Sequence, residues 1–232
     1  MNCVLIIGAC DIGTNIAEYF INKNINVVVG YHNNIKEKID ATYIRCDVTK
    51  EEDIKNIIEY CMNKYGKIDL LINLANINMD NSFLNKTKNE FMNVLEDNLV
   101  GTFLLNQYYC RYNDDGMIIN FASTDGIDTG SIYSIDYSAS KAGIITMSSI
   151  ISKNTTNKIY CLCPNWIDSD STNSMNKDYL ESELKRINQG RLIKIEEIIE
   201  VINDILNNKY EQSNTIRIDI LEDKLCIETM NI

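Results

Sequence analysis

Short apolar runs recur along this chain, and most lead through a polar turn into residues whose apolar positions keep helical spacing. Val4-Leu5-Ile6-Ile7 passes through Gly8-Ala9-Cys10-Asp11-Ile12-Gly13 into Ile16, Ala17, Phe20 and Ile21. Further runs cover residues 26–30, 43–49, 68–73, 117–123, 158–163 and 215–221. A strand that is apolar at nearly every position must be covered on both faces, because alternate side chains point to opposite sides of a sheet. Strands of this kind alternating with helices predict an α/β fold: a doubly wound parallel sheet of about seven strands with helices on both faces. No repeat, low-complexity linker or domain boundary interrupts the pattern, so residues 1–232 read as a single domain.

The helices follow the same reasoning. Ile54, Ile57, Ile58 and Cys61 predict a helix from Glu51 to about Tyr65 that stops at Gly66, with Thr49 as its cap and acidic residues in its first turn. Residues 83–112 carry one or two more helices, and Asn98 lies inside one although asparagine is a poor helix former. The helix carrying Tyr137 reads as short before Lys158, Ile195 to Leu206 is strongly amphipathic, and residues 225–232 read as a tail. Residues 169–190 are polar with apolar Tyr179, Leu180 and Leu184, and they leave the sheet's carboxyl edge. They are expected to form a lid over a ligand.

Composition narrows the partners. A net charge of −11 argues against nucleic acid or an anionic membrane. No stretch approaches the roughly 18 uninterrupted apolar residues of a membrane span. The opening residues read as a buried strand and not as a signal peptide. Eight scattered cysteines, mostly in apolar runs, suit a reducing compartment, so a cytoplasmic protein is expected. With one histidine in the chain no metal site is expected.

Strand, glycine turn and helix at residues 4–21 make a Rossmann-type opening, in which free N–H groups at a helix start attract a pyrophosphate; an ordinary tight turn is the alternative. Where an acidic residue would hold the ribose hydroxyl of NAD, the second strand ends at Tyr31-His32-Asn33-Asn34, which leaves room for the phosphate of NADP. Asp47 ends the third strand, where a structural turn and an adenine contact are both open to it. Tyr137-Ser-Ala-Ser-Lys141 sets a phenol and an ammonium one helical turn apart, and a cation near a phenol favours the phenolate needed for general acid–base work. Ser123 adds a hydroxyl at the end of the fifth strand. Thr124 competes for that place, and Gly126, three residues on, favours Ser123.

Taken together, these segments resemble the short-chain dehydrogenase/reductase family nearly end to end, with similarity to its 3-oxoacyl-ACP reductase and glucose dehydrogenase-like members. Residues 8–13 resemble the family's glycine loop, Asp47-Val48 its adenine-contacting pair, and Asn73-Leu-Ala-Asn76 its Asn-Asn-Ala-Gly segment. The resemblance implies Ser123, Tyr137, Lys141 and Asn98 as catalytic residues. It implies a cofactor, NADP(H) or NAD(H), held by Gly8, Cys10, Asp11, Ile12, Gly13, Tyr31, His32, Asn33, Asp47, Val48, Asn73, Ala75, Tyr137, Lys141, Pro164, Ile167 and Ser169. It also implies a small carbonyl or alcohol substrate and a homodimer or homotetramer. Lys141 would hold the ribose and lower the Tyr137 pKa, Ser123 would orient the carbonyl, and Asn98 would support a water for proton return. Lid residues Trp166, Met175 and Tyr179 suggest an apolar or flat carbonyl compound.

Three departures stand out. Asp11, or a gap, takes the place of the glycine loop's middle glycine. Asn76 and Asn165 replace glycines, which fits asparagine's tolerance of left-handed backbone, and Ile220 and Leu221 follow Asp219 where two glycines are usual. The altered loop motivates an alternative, a non-catalytic nucleotide-binding or assembly protein on the same fold. Epimerisation or dehydration through a transient ketone is a further possibility.

Overall fold

The computed structural model describes residues 1–210 and 213–230. One sheet runs through it in the order β3-β2-β1-β4-β5-β6-β7-β8. The strands are β1 (Cys3–Ile7), β2 (Asn26–Tyr31), β3 (Thr42–Arg45), β4 (Leu70–Asn73), β5 (Met117–Phe121), β6 (Lys158–Pro164), β7 (Thr215–Leu221) and β8 (Lys224–Met230). All pairings are parallel except β7 with β8.

Alternation along β1 divides the core. Val4 and Ile6 face α1 (Asp11–Ile21) and α8 (Ile195–Leu206), packing with Ile16, Phe20, Ile198 and Ile202. Leu5 and Ile7 face the other way, toward Ile54, Ile57 and Cys61 of α2 (Glu51–Tyr65) and Leu105 and Tyr109 of α4 (Gly101–Tyr112). Each fully buried side chain of this size contributes about 1.5–3 kcal/mol. Truncating Phe20, fully buried on α1, to alanine would cost about 3–5 kcal/mol. Gly66 closes α2 at φ 77°, as its position predicts.

From β1 the chain moves outward to β2 and β3, then returns to the other side of β1 at β4. At such a reversal the loops beyond the strand ends part and leave a crevice for a ligand.

Four expectations are corrected. The sheet has eight strands, because residues 224–230 turn back through Glu222 and Asp223, both at positive φ, and pair antiparallel with β7; Asn231 and Ile232 lie outside the described residues. Thr49 does not cap α2. Its hydroxyl and N–H both go to Asp47 Oδ1, at 2.7 and 3.0 Å, and Lys50 occupies the cap position with no side-chain bond. The Tyr137 helix, α5 (Ile135–Ser152), is 18 residues long, not short. Asn76 and Asn165 do not use left-handed backbone; the amide of Asn76 donates to the Leu74 carbonyl, and that of Asn165 to Asp219.

Candidate active site

Two cavities adjoin along the sheet's carboxyl edge and share Cys10, Leu74 and Asn76 as walls. Ser123, Tyr137 and Lys141 line the first, together with Ile12, Pro164, Ile167 and Ser169. Gly8, His32, Asn33, Val48 and Ala75 line the second. Asp11, Gly13, Tyr31, Asp47, Asn73 and Asn98 line neither. Gly13 packs so tightly that a Cβ on it would sit 2.0 Å from the Gly8 carbonyl oxygen, so only glycine lets α1 start this close to β1. Asp47 binds Thr49 and lies 3.5 Å from His32. The buried Asn73 amide donates to Thr102 and accepts from the Ala75 N–H, fixing the loop after β4.

Ser123 follows β5 with extended backbone, and its oxygen accepts the Asp125 N–H at 3.1 Å. Thr124 is fully buried and accepts from the Thr129 hydroxyl at 2.8 Å, so Ser123 is the hydroxyl that reaches the cavity. Lys141 is 2% exposed, donates from Nζ to the Phe121 carbonyl at 2.9 Å, and lies 5.2 Å from the Tyr137 ring centroid. Burial lowers its pKa to about 8, against the pull of Cys161, Cys163, Asp97 and Asp125. Burial and then the Asp125 carboxylate hold the Tyr137 phenol well above its ordinary range, and a hydrogen bond with Ser123 opposes them. The expected lowering by Lys141 is not met in this state: burial dominates, and Lys141 is not among the groups that move the phenol.

Asn98 sits in a turn of π-helix (Glu96–Val100) between α3 (Lys88–Leu95) and α4. Such turns often occur at functional sites. Its carboxamide accepts the Ile77 N–H at 2.7 Å and donates to the Ile77 carbonyl at 2.9 Å and to Ser140 at 3.1 Å. One side chain therefore ties the loop after β4 to the helix bearing Tyr137.

The stretch at 169–190 folds into α6 (Asp170–Asn173) and α7 (Lys177–Arg186), and Thr172, Met175, Tyr179 and Glu183 wall the first cavity. Asp170 donates its N–H to Asp11 Oδ2 at 2.7 Å and pairs with Lys36, a wall residue of the second cavity. Sequence reading missed Lys36, Asp80, Asp125 and Glu183 as wall residues. Each lies in a loop or helix without a motif, and only the fold brings it to the cleft.

A doubly wound sheet with a serine, a tyrosine and a lysine gathered at one cavity along its carboxyl edge defines an α/β protein of the Rossmann type. Residues 2–180 match the short chain dehydrogenase family. The chain is 30% identical over 195 residues to the 3-oxoacyl-[acyl-carrier-protein] reductase FabG of Thermotoga maritima, spanning 82% of this chain and 78% of that protein. It is 26% identical over 230 residues to the human 3-oxoacyl-[acyl-carrier-protein] reductase, spanning 94% and 95%. Among solved structures its fold is similar to ligand-free aldohexose dehydrogenase of Thermoplasma acidophilum (TM-score 0.80, 21% identity, 92% and 90% covered). It is similar also to a variant of actinorhodin polyketide ketoreductase with NADPH (TM-score 0.82, 22% identity, 93% and 95% covered). The chain belongs to the short-chain dehydrogenase/reductase family of oxidoreductases. No helix among the described residues is long and apolar enough to cross a membrane.

Proposed function

We propose that this protein interconverts a carbonyl compound and an alcohol with NAD(P)(H), using Tyr137 as general acid and base. The observation that carries this reading is the convergence of Ser123, Tyr137 and Lys141 on one cavity that continues into a second along the strand ends. The two cavities together suit a dinucleotide. The first turn of α1 lies over their junction, where free helix N–H groups favour a pyrophosphate. His32, Asn33 and Val48 stand at the adenosine end, and Pro164, Ile167 and Ser169 at the nicotinamide end. When bound, the dinucleotide supplies or accepts the hydride at the substrate carbon.

The chain's own residues handle the proton. Ser123 donates to the carbonyl oxygen and fixes its place beside the phenol. With its pKa raised, Tyr137 holds its proton at neutral pH, so in this state it is set to protonate the developing alkoxide. Lys141 supplies positive charge against the phenolate that remains, and Asn98 keeps α5 and the Ile77 loop in register. Lys36 among the walls of the second cavity supports a preference for NADP. The apolar face of α4 and α5 supports a homodimer or homotetramer, and the free state of all eight cysteines supports a cytoplasmic location.

The test is Tyr137→Phe. Turnover should fall by at least about a thousandfold, while the rise in melting temperature caused by NADPH is retained. Unchanged turnover, or loss of the thermal shift along with it, would refute the role given to Tyr137. Titrations of NADPH and NADH followed by cofactor fluorescence address the alternative, since binding of neither would favour a non-catalytic member of the fold. In the same titration Lys36→Ala should weaken NADPH more than NADH; equal weakening would remove the NADP preference.

A further inference from the structure

The far side of the first cavity carries charge that proton transfer does not use. Its walls include the carboxylates of Asp80, Asp125 and Glu183, while Lys141 is committed to the Phe121 carbonyl. Arg186 answers Glu183, with Nε and Nη2 at 3.0 and 2.7 Å from Oε2. No cation among the described residues lies within ion-pair distance of the other two, although the charges of Arg186 and Lys141 act on Asp125 from farther off. Asp125 accepts only from the neutral Thr129 hydroxyl at 2.8 Å, and Asp80 from the Asn78 amide at 2.9 Å. Neighbouring groups register the resulting field. Burial chiefly raises the Asp125 pKa, against the Thr129 hydrogen bond and the Arg186 charge, with Glu183 and Asp80 adding to it; burial also raises Tyr179, with Asp80, Glu183 and Asp125 adding and Arg186 opposing.

Trp166, Met175 and Tyr179 line the same wall. An aromatic face beside carboxylates suits an organic cation, whose charge meets the oxygens while its body lies on the ring. A carboxylate or phosphate substrate would meet like charge on the same wall. The net charge of −11 favours approach of cations in the same sense.

We propose that the substrate is an amino ketone and the product the corresponding amino alcohol, with the protonated amine held by Asp125 and Asp80 against Tyr179 while the carbonyl reaches Ser123 and Tyr137. This rests on the carbonyl–alcohol reading above. The C=O bond gains a hydride at carbon from a reduced nicotinamide and the Tyr137 proton at oxygen. The ketone is reduced, the nicotinamide is oxidised, and the amine is unchanged.

The experiment compares aminoacetone, hydroxyacetone and pyruvate by steady-state oxidation of NADPH and of NADH. kcat/KM should be at least about tenfold higher for aminoacetone than for hydroxyacetone, with pyruvate slowest. In the double variant Asp80→Asn/Asp125→Asn the ratio of aminoacetone to hydroxyacetone should fall to near unity. That ratio does not depend on how much of the variant folds. Hydroxyacetone or pyruvate matching aminoacetone in the wild type, or a ratio unchanged in the double variant, overturns the amine subsite and leaves the carbonyl reading standing. Reduction of none of the three overturns both.

Discussion

Lys141 occupies a place that stability alone would not choose. Its ammonium is 2% exposed, has one backbone acceptor and has a pKa lowered to about 8. A base whose pKa is lower folded than unfolded binds fewer protons in the native state. Its contribution to stability therefore rises with pH between about 8 and its unfolded value near 10.5, and the penalty is present in full below that window. Lys141→Met should raise the unfolding free energy in urea at pH 7 by up to on the order of 3 kcal/mol, and the advantage should shrink as pH climbs toward 10. Comparing the two proteins at each pH cancels the raised cysteine and tyrosine groups that both share. A variant less stable than wild type at pH 7, or an advantage independent of pH, would count against this account. Tyr137, Lys141 and Ser123 were legible in the sequence because a four-residue spacing on a helix and a strand end fix where they point. Asp80, Asp125 and Lys36 were not, since no local rule says which loop residues meet over a cleft.

α5 is held at its start by a contact the sequence does not announce. The Lys86 ammonium, its side chain 3% exposed, lies 2.8 Å from the buried Asp136 carboxylate and also donates to the Met79 carbonyl. Asp136 accepts the Tyr137 N–H at 3.0 Å, so the loop after β4 and the first turn of α5 share one buried ion pair. Removing one partner leaves a buried charge unanswered, which typically costs about 3–5 kcal/mol. Lys86→Met should therefore lower stability by that much in urea unfolding and lower kcat, because Tyr137 follows Asp136. Lys86→Met/Asp136→Leu should regain most of the stability, and a double variant as unstable as the single would show that the pair itself is not the cause. Elements with strong periodicity, such as α2 and α8, were readable from the sequence. β8 was not: an edge strand with exposed Lys224 and Glu228 and only half-buried Leu225, Cys226 and Ile227 lacks the continuous apolar signal of the central strands. Thr49 misled because its hydroxyl donates to Asp47, two residues earlier, instead of accepting an N–H at the helix start.

At the scale of the molecule, the doubly wound sheet follows from its apolar strands, but what lies against its outer helices depends on a surface that periodicity along the chain does not reveal. Leu99, Val100 and Phe103 beside Met147 and Ile150 form an apolar trough between α4 and α5. Val100, Phe103 and Ile150 are 45%, 44% and 58% exposed. Contiguous apolar surface of this kind usually marks an interaction site, and a two-fold axis along it would set each α5 against its partner's, in a closed contact. The same helix carries Tyr137 and Lys141, so assembly would stiffen the site and not merely cover oil. Sedimentation velocity at micromolar concentration should show a dimer or tetramer, and Phe103→Glu/Ile150→Glu should shift it to monomer. Because each new carboxylate would meet its own image across the axis, the effect should weaken in high salt. A wild-type protein that sediments as a monomer at tens of micromolar, or a double variant that still assembles, would place the contact elsewhere or remove it.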